Sequence, residues 1–300
     1  MNQHLQKILD FIQQDEKLTA EEKELLIKEA NATDSELTIS EFKLDRTEKV
    51  KRTTAILLEE TIEELEQKRK AVEEQNRELE IEKALEKVRS AALSMKELAD
   101  MVDVCHIISD QLELLNVKEI RNVQTAIIYE TKGTYFNYEY YPKHGKEFVT
   151  EVDFKNHEVQ TKFANQMLKG AEELFTIFIK NKELKDWYAY QKTTNQFADT
   201  FLENAEILCY YWYSLGPVAL GISTYVPLTE DEINLFKRFR NVFELAYRRF
   251  LDIEKAIGQA KEARIETALE RVRAVAMAMR KPDDLLNICE TLFTEFKSME

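Results

Sequence analysis

The chain has 300 residues, enough for one large or two small domains, with 44% hydrophobic and 33% charged residues. A net charge of −14 argues against a nucleic-acid partner, and the one basic cluster, 237–249, is interleaved with aromatic residues at helical spacing. No apolar run is long enough to span a membrane, the N-terminus lacks a signal peptide's apolar stretch, and three widely spaced cysteines fit a reducing compartment, so we predict a cytoplasmic protein.

Helix breakers and strand formers share one central block of the chain. Glycine and proline are absent from the first 132 residues, and all twelve tyrosines lie between Tyr129 and Tyr247. The flanks are therefore predicted to be helical and the centre to be mixed. We expect an N-terminal helical segment at 1–45, a coiled-coil helix at 46–95, an α+β domain at 96–255 and a further helical segment at 256–300.

The N-terminal flank opens with a predicted helical region over 1–35, in which Thr19 and Glu22 have capping-box spacing. The polar stretch 31–38 is predicted to break it, and a long helix follows. From residue 55 onward apolar residues recur in heptads, and a lone Asn in such a seam fixes register and favours two strands. We predict a parallel homodimer, the alternative being a surface helix with a narrow apolar stripe. The predicted dimer seam contains Leu58, Ile62, Leu65, Val72, Asn76 and Leu79.

One helical motif occurs twice. IEKALEKVRSAALSM (81–95) returns as IETALERVRAVAMAM (265–279), with nine of 15 residues identical, and the same offset of 184 pairs Asp100 with Asp284. Internal repeats of this length indicate tandem modules. The segment 256–300 is therefore predicted to hold a second linker helix and the first helix of a truncated second module. We expect the apolar stripe in 282–300 to fray or to pair across the dimer.

The central block reads as a helix, two strands, a helix, an irregular region, further strands and a long helix. Thr229 is the predicted cap of that last helix. Residues 174–180 fit either a strand or a buried helix. This order predicts an α+β fold with an antiparallel sheet and helices on one side of it. The predicted strands are 123–130, 134–141, 206–216 and 219–228, and the predicted helices are 98–115, 157–170 and 228–257.

This order of elements resembles a GAF domain, a small-molecule-sensing module. The flanking segments 47–89 and 238–256, the latter followed by the second motif copy, resemble the GAF-like regions of sensor histidine kinases in Bacteroidetes-type bacteria. The resemblance implies a cytosolic sensor of a two-component system. Its helices would relay a change induced by a ligand or partner to an output domain, most often a histidine kinase.

Catalytic motifs are not evident in the sequence. Residues 156–163, NHEVQTKF, imitate the start of a phosphoacceptor box, but Phe163 replaces the usual proline and no glycine-rich ATP lid follows. We therefore expect His157 at the surface, near a helix N-terminus. Cys105 and His106 lack further metal ligands at suitable spacing, so a buried thiol and a half-exposed imidazole are expected. We predict no enzyme activity, no cofactor and no metal in this chain.

A ligand cavity is the remaining candidate site. Cys209, Tyr211 and Tyr213 alternate with Tyr210 and Trp212 along a predicted strand, so each set lines one face of the sheet. One face is expected to be core and the other to line a cavity for an unidentified small molecule. The candidate lining is Trp187, Cys209, Tyr211 and Tyr213, with plain core packing as the alternative. A ligand-free scaffold that spaces and dimerises signalling domains is the competing function.

Overall fold

A computed structural model describes residues 2–169 and 174–298. The described chain divides into two compact units, Met1–Arg77 and Glu78–Glu300; the four-part division expected from the sequence stays a prediction. The helices are α1 Gln3–Gln14, α2 Ala20–Ser94, α3 Met101–Leu114, α4 Glu158–Leu168, α5 Asn181–Gln191, α6 Glu230–Met277 and α7 Leu285–Lys297. The strands are β1 Ile120–Tyr129, β2 Thr134–Tyr141, β3 Lys146–Asp153, β4 Leu174–Lys180, β5 Ile207–Ser214 and β6 Val218–Thr224. Within these residues, no helix is both long and apolar enough to traverse a bilayer.

The long helix α2 is continuous where a break was predicted. It starts after a capping box in which the Thr19 hydroxyl accepts the Glu22 N–H, while the Glu22 carboxylate accepts the Thr19 N–H. The predicted break at 31–38 is wrong, because the Thr33 hydroxyl donates to the carbonyl four residues earlier, as does that of Thr38. These bonds satisfy the polar side chains inside the helix, and no glycine or proline interrupts it.

The six strands form one antiparallel sheet in the order β3-β2-β1-β6-β5-β4. This confirms the α+β class and the antiparallel sheet flanked by long helices. The prediction that helices cover only one side of the sheet is wrong. Helices α3 and α6, together with the C-terminal end of α2, cover one face, and α4 and α5 cover the other. Both faces of the sheet are therefore buried from solvent. As a result β6 is buried at every position and β5 at all but its first, without the polar alternation of a half-exposed sheet.

The end of α2 and the start of α6 lie side by side and run in the same direction. Arg238 near the start of α6 pairs with Glu78 and Glu82, and Arg249, three turns later, donates to the Met95 carbonyl. Residues later in α6 thus contact residues later in the α2 segment, so the two helices are parallel. The Thr229 cap and its partner Glu232 start α6 as predicted. Helix α6 then extends beyond the core formed with the sheet.

The sequence repeat is also a repeat of local structure. The Asp100 carboxylate accepts the backbone N–H groups of Lys96 and Glu97 at 2.6 and 3.0 Å. Asp284 accepts those of residues 280 and 281 at 2.8 and 3.0 Å. Each aspartate closes a 3-10 turn that leads into a helix, α3 or α7. The sheet covers α3, however, whereas α7 packs on α6 and leaves much of its apolar surface exposed.

Candidate functional site

A cavity lies between the sheet and the helices α4 and α5. Its free volume in this conformation is about 30 Å³, so the cavity is narrow. We call it the amide cavity, after the four buried amide side chains among its lining residues. These are Gln124, Tyr135, Asn137, Glu139, Val159, Gln160, Phe163, Ile177, Trp187, Gln191, Gln196, Tyr210 and Trp212.

Aromatic rings build much of the wall. Tyr210 and Trp212 project from β5 toward α4 and α5, where the Trp212 ring centre lies 4.4 Å from that of Phe163. The indole N–H of Trp187, on α5, donates to the Tyr210 hydroxyl at 3.3 Å. Trp212 lies flat over the neighbouring strand because its cross-strand partner is Gly221. A Cβ at Gly221 would be 2.5 Å from the indole Cζ3, closer than any ordinary contact.

Four buried amides line this cavity with hydrogen-bonding capacity to spare. Gln124 and Asn137 pair across β1 and β2, the Asn137 amide donating to Gln124 Oε1 at 3.1 Å. This leaves Gln124 Nε2 and Asn137 Oδ1 without a partner among the described residues. Gln160 Nε2 on α4 and Gln191 Oε1 on α5 are in the same situation. Each unsatisfied buried polar atom costs about 1–3 kcal/mol.

The clustering of these atoms distinguishes the amide cavity from other concave surfaces. A larger groove of about 830 Å³ lies at the start of α5, between Lys180 and Pro227. In the described part of the chain it contributes none of the buried unpaired atoms. Four such atoms line the amide cavity, whereas those of Ser109, Arg121 and Thr150 lie outside its lining.

A buried ion pair lies beside the cavity. Arg121 Nε donates to Asp199 Oδ2 at 2.9 Å, and both side chains are inaccessible to solvent. Asp199 also accepts the Tyr225 hydroxyl at 2.7 Å and His144 Nε2 at 2.9 Å. Burial alone would raise the pKa of Asp199, but Arg121 and these hydrogen bonds hold it below its ordinary value. Asp199 therefore stays ionised and balances the guanidinium charge.

Glu139 is the carboxyl group that lines the cavity itself. Its Oε1 accepts the Asn122 amide at 2.9 Å and the Tyr141 hydroxyl at 2.8 Å. Burial raises the pKa of this carboxyl, although its hydrogen bonds and the nearby Arg121 act in the opposite direction. The fold thus favours a neutral carboxylic acid at this position more than water does.

The structure does not bring together the four residues of the predicted pocket. Trp187 lies on a helix and lines the amide cavity, as expected. Cys209, Tyr211 and Tyr213 point to the opposite face of the sheet, where they pack in the core with α3 and α6. The alternation was predicted correctly, but the grouping is corrected, because Tyr210 and Trp212 are the β5 residues that face Trp187.

The lining amides were missed by the sequence analysis, although a signal was present. Gln124 is a polar residue in the middle of an apolar strand, and Asn137 and Glu139 occupy alternate positions of an otherwise aromatic one. Polar residues spaced by two on one face of a buried strand indicate a polar site inside the core.

Two other candidates have ordinary structural roles. His157 caps α4, its Nδ1 accepting the Val159 N–H at 3.2 Å, which confirms the expected helix N-terminus. Cys105 is fully buried, and burial raises the pKa of its thiol to about 12. His106 is partly exposed, with Nδ1 2.9 Å from Glu147. The thiol is thus protonated and enclosed, as a structural cysteine is.

The predicted seam residues all lie on α2 and are exposed in the single chain. Leu58 and Leu65 each expose 60% of their surface, and Ile62, Val72 and Leu79 about half. An apolar row of this length on one helix is typical of a surface that pairs with another helix.

Comparisons with known proteins add no identity. No protein-family model matches this chain, and no curated protein sequence matches it significantly.

Proposed function

We propose that this chain is a GAF-type sensory module that dimerises through α2 in a parallel coiled coil. It relays occupancy of the amide cavity to α6 and onward to an output domain, a histidine kinase. The support comes from how strand β5 is used on its two faces.

Strand β5 is the observation that carries the proposal. Tyr210 and Trp212 form the cavity wall, while Tyr211 and Tyr213 contact α6 and the residues that lead into it. The Tyr213 ring centre is 5.5 Å from that of Phe236, and the Tyr211 hydroxyl accepts the Leu228 N–H at 2.8 Å. A shift of β5 that accommodates a ligand on one face therefore acts on the start of α6 on the other.

Strands β1 and β2 make the same connection further along α6. The Tyr129 hydroxyl on β1 donates to Glu254 at 3.0 Å, and the Tyr138 ring on β2 meets the Phe250 ring edge-on at 5.9 Å. Gln124 and Asn137, on these two strands, line the cavity from the other face. Three strands thus contact both the cavity and about five turns of one helix, from Phe236 to Glu254, which supports a bistable relay.

The relay is tested by exposing the protein to the small-molecule fraction of a bacterial extract, followed by native mass spectrometry and hydrogen exchange. We expect a retained molecule, and an altered exchange rate over 250–277 when it is bound. Stoichiometric retention in the parent and loss in Gln160→Leu would place it in the cavity, with the exposed Gln166→Leu on the same helix as control. If nothing is retained and exchange over α6 never changes, the ligand-free scaffold is the correct function.

Dimerisation has its own test. Leu65→Glu introduces a charge into the seam, whereas Gln67→Glu introduces the same charge two positions away, at the outward position of the heptad. We expect sedimentation at micromolar concentration to show a dimer for the parent and Gln67→Glu and a monomer for Leu65→Glu. A monomeric parent chain would remove the coiled coil from the mechanism.

A further inference from the structure

We propose that the amide cavity binds a small, flat, neutral molecule with adjacent hydrogen-bond donors and acceptors, of the cyclic ureide or aromatic carboxamide class. The inference rests on the proposed function, because it names the ligand class of the same cavity. Hydrogen bonding, the aromatic lining and charge each point to it.

The hydrogen-bonding atoms left over form a mixed set. Gln124 Nε2 and Gln160 Nε2 are donors, and Asn137 Oδ1 and Gln191 Oε1 are acceptors, none with a partner in the described part of the chain. The first donor and the first acceptor belong to side chains already bonded to each other, so they lie together on adjacent strands. A ligand group with a C=O next to an N–H, as in an amide or ureide, satisfies such a neighbouring pair.

The lining of the cavity favours a flat molecule. Rings of Tyr135, Phe163, Trp187 and Trp212 form its sides. Aromatic walls suit a planar ring that stacks on them or meets them edge-on. The free volume in this conformation is only about 30 Å³, room for a water-sized molecule, so a planar ligand enters by displacing these side chains.

Charge disfavours an ionic ligand. The guanidinium of Arg121 beside the cavity is neutralised by Asp199 at 2.9 Å. Glu139, the carboxyl within the lining, already accepts two hydrogen bonds at Oε1 and is fully enclosed. An anionic ligand, which lacks donors, would leave the acceptors Asn137 Oδ1 and Gln191 Oε1 unpaired, and a cationic ligand, which lacks acceptors, would leave the two spare amide N–H groups unpaired. A neutral ligand avoids both costs.

The experiment uses four small probes of similar size. Uracil and nicotinamide represent the proposed class, and benzoate and benzylamine are the anionic and cationic comparisons. Binding to the full chain is followed by saturation-transfer NMR and by fluorescence excited selectively at tryptophan. Both tryptophans of the chain line the cavity, so the fluorescence reports this site directly.

We expect at least one neutral probe to bind saturably and at least tenfold more tightly than either charged probe. Gln160→Leu removes one unpaired donor and should weaken that binding tenfold or more, while Gln166→Leu, exposed on the same helix, leaves it unchanged. Gln191→Met removes an unpaired acceptor on a different helix and should act in the same way. This second variant keeps the test decisive where Gln160→Leu fails to fold.

Each other outcome counts against a defined part of the reasoning. Tighter binding of benzoate or benzylamine overturns the ligand class and leaves the sensor function standing. Binding of a neutral probe without any change in hydrogen exchange over α6 supports the class and overturns the relay. If no probe binds, and the spare amide atoms bind only ordered water in an experimental structure, the ligand inference is wrong.

Discussion

Two glycine substitutions of identical chemistry are expected to change stability in opposite directions. Gly221→Ala places a methyl group 2.5–2.7 Å from the Trp212 indole carbons Cζ3 and Cδ2. Ordinary carbon contacts begin near 3.5 Å, so the ring has to move by about 1 Å toward Phe163 and the cavity. Overpacking of this kind costs about 1–3 kcal/mol. We expect Gly221→Ala to lower the free energy of unfolding by that amount and to abolish probe binding.

Gly258→Ala is the matched control. Gly258 lies inside α6, and a Cβ there meets no atom within 4 Å. Alanine should therefore stabilise the helix, by up to about 1 kcal/mol. Urea unfolding followed by tryptophan fluorescence measures both changes, since Trp187 and Trp212 are buried in the folded chain. If Gly221→Ala is as stable as Gly258→Ala, Trp212 does not lie against β6 and the account of the cavity wall is wrong.

Further outcomes follow from the sequence pattern and the described contacts. Because burial raises the pKa of Glu139, the free energy of unfolding falls as pH rises above the ordinary glutamate range. In paired urea titrations, Glu139→Gln should therefore be more stable than the parent at pH 8 and no more stable at pH 4. Arg121→Met should cost about 3–5 kcal/mol by leaving Asp199 unbalanced, and adding Asp199→Asn should recover part of it. Since the pKa of Asp199 is lowered, the ion pair contributes at neutral pH and is lost as pH falls through that pKa. Asn76→Ile should melt higher than the parent but give mixed masses in solution; a lower melting temperature would place Asn76 outside the seam. Hydrogen exchange over 285–297 should be fast in dilute protein and slow as dimer forms, and strong protection in a monomer would contradict the exposed stripe of α7.

The long helices and most strands could be predicted from periodicity and helix breakers. Strand 134–141 has the predicted limits, and 174–180 is a strand. Strand β3 and its place at the sheet edge were missed, because KEFVTEVD carries charges at positions an edge strand leaves in water. The sequence analysis also missed the second helix layer. Its signal was apolar and aromatic residues on both faces of β5, which a one-sided sheet would not bury.

The candidate site could be predicted only in part, for a geometric reason. A period of two divides the β5 side chains into two sets but does not say which set faces which layer. That assignment depends on α4 and α5. Helix α4 lies between β3 and β4, which are opposite edges of the sheet, and α5 lies between the adjacent strands β4 and β5. Trp187 was correctly placed near an aromatic strand. The amides from four different elements meet only in the folded chain, and no local pattern in one element identifies their meeting.

The parallel contact between α2 and α6 has a mechanical consequence for the proposed relay. Helix α2 ends at Ser94, and α6 takes over the same direction alongside it. A rotation of α2 is therefore not transmitted along one continuous helix. It is transmitted from α2 to α6 through side chains, namely the Arg238 ion pairs, the Arg249 hydrogen bond and the apolar surface between them. How much of a rotation of α2 reaches α6 would then depend on how firmly the sheet packs beneath this junction. A ligand that makes β5 more rigid would therefore increase the transmitted rotation.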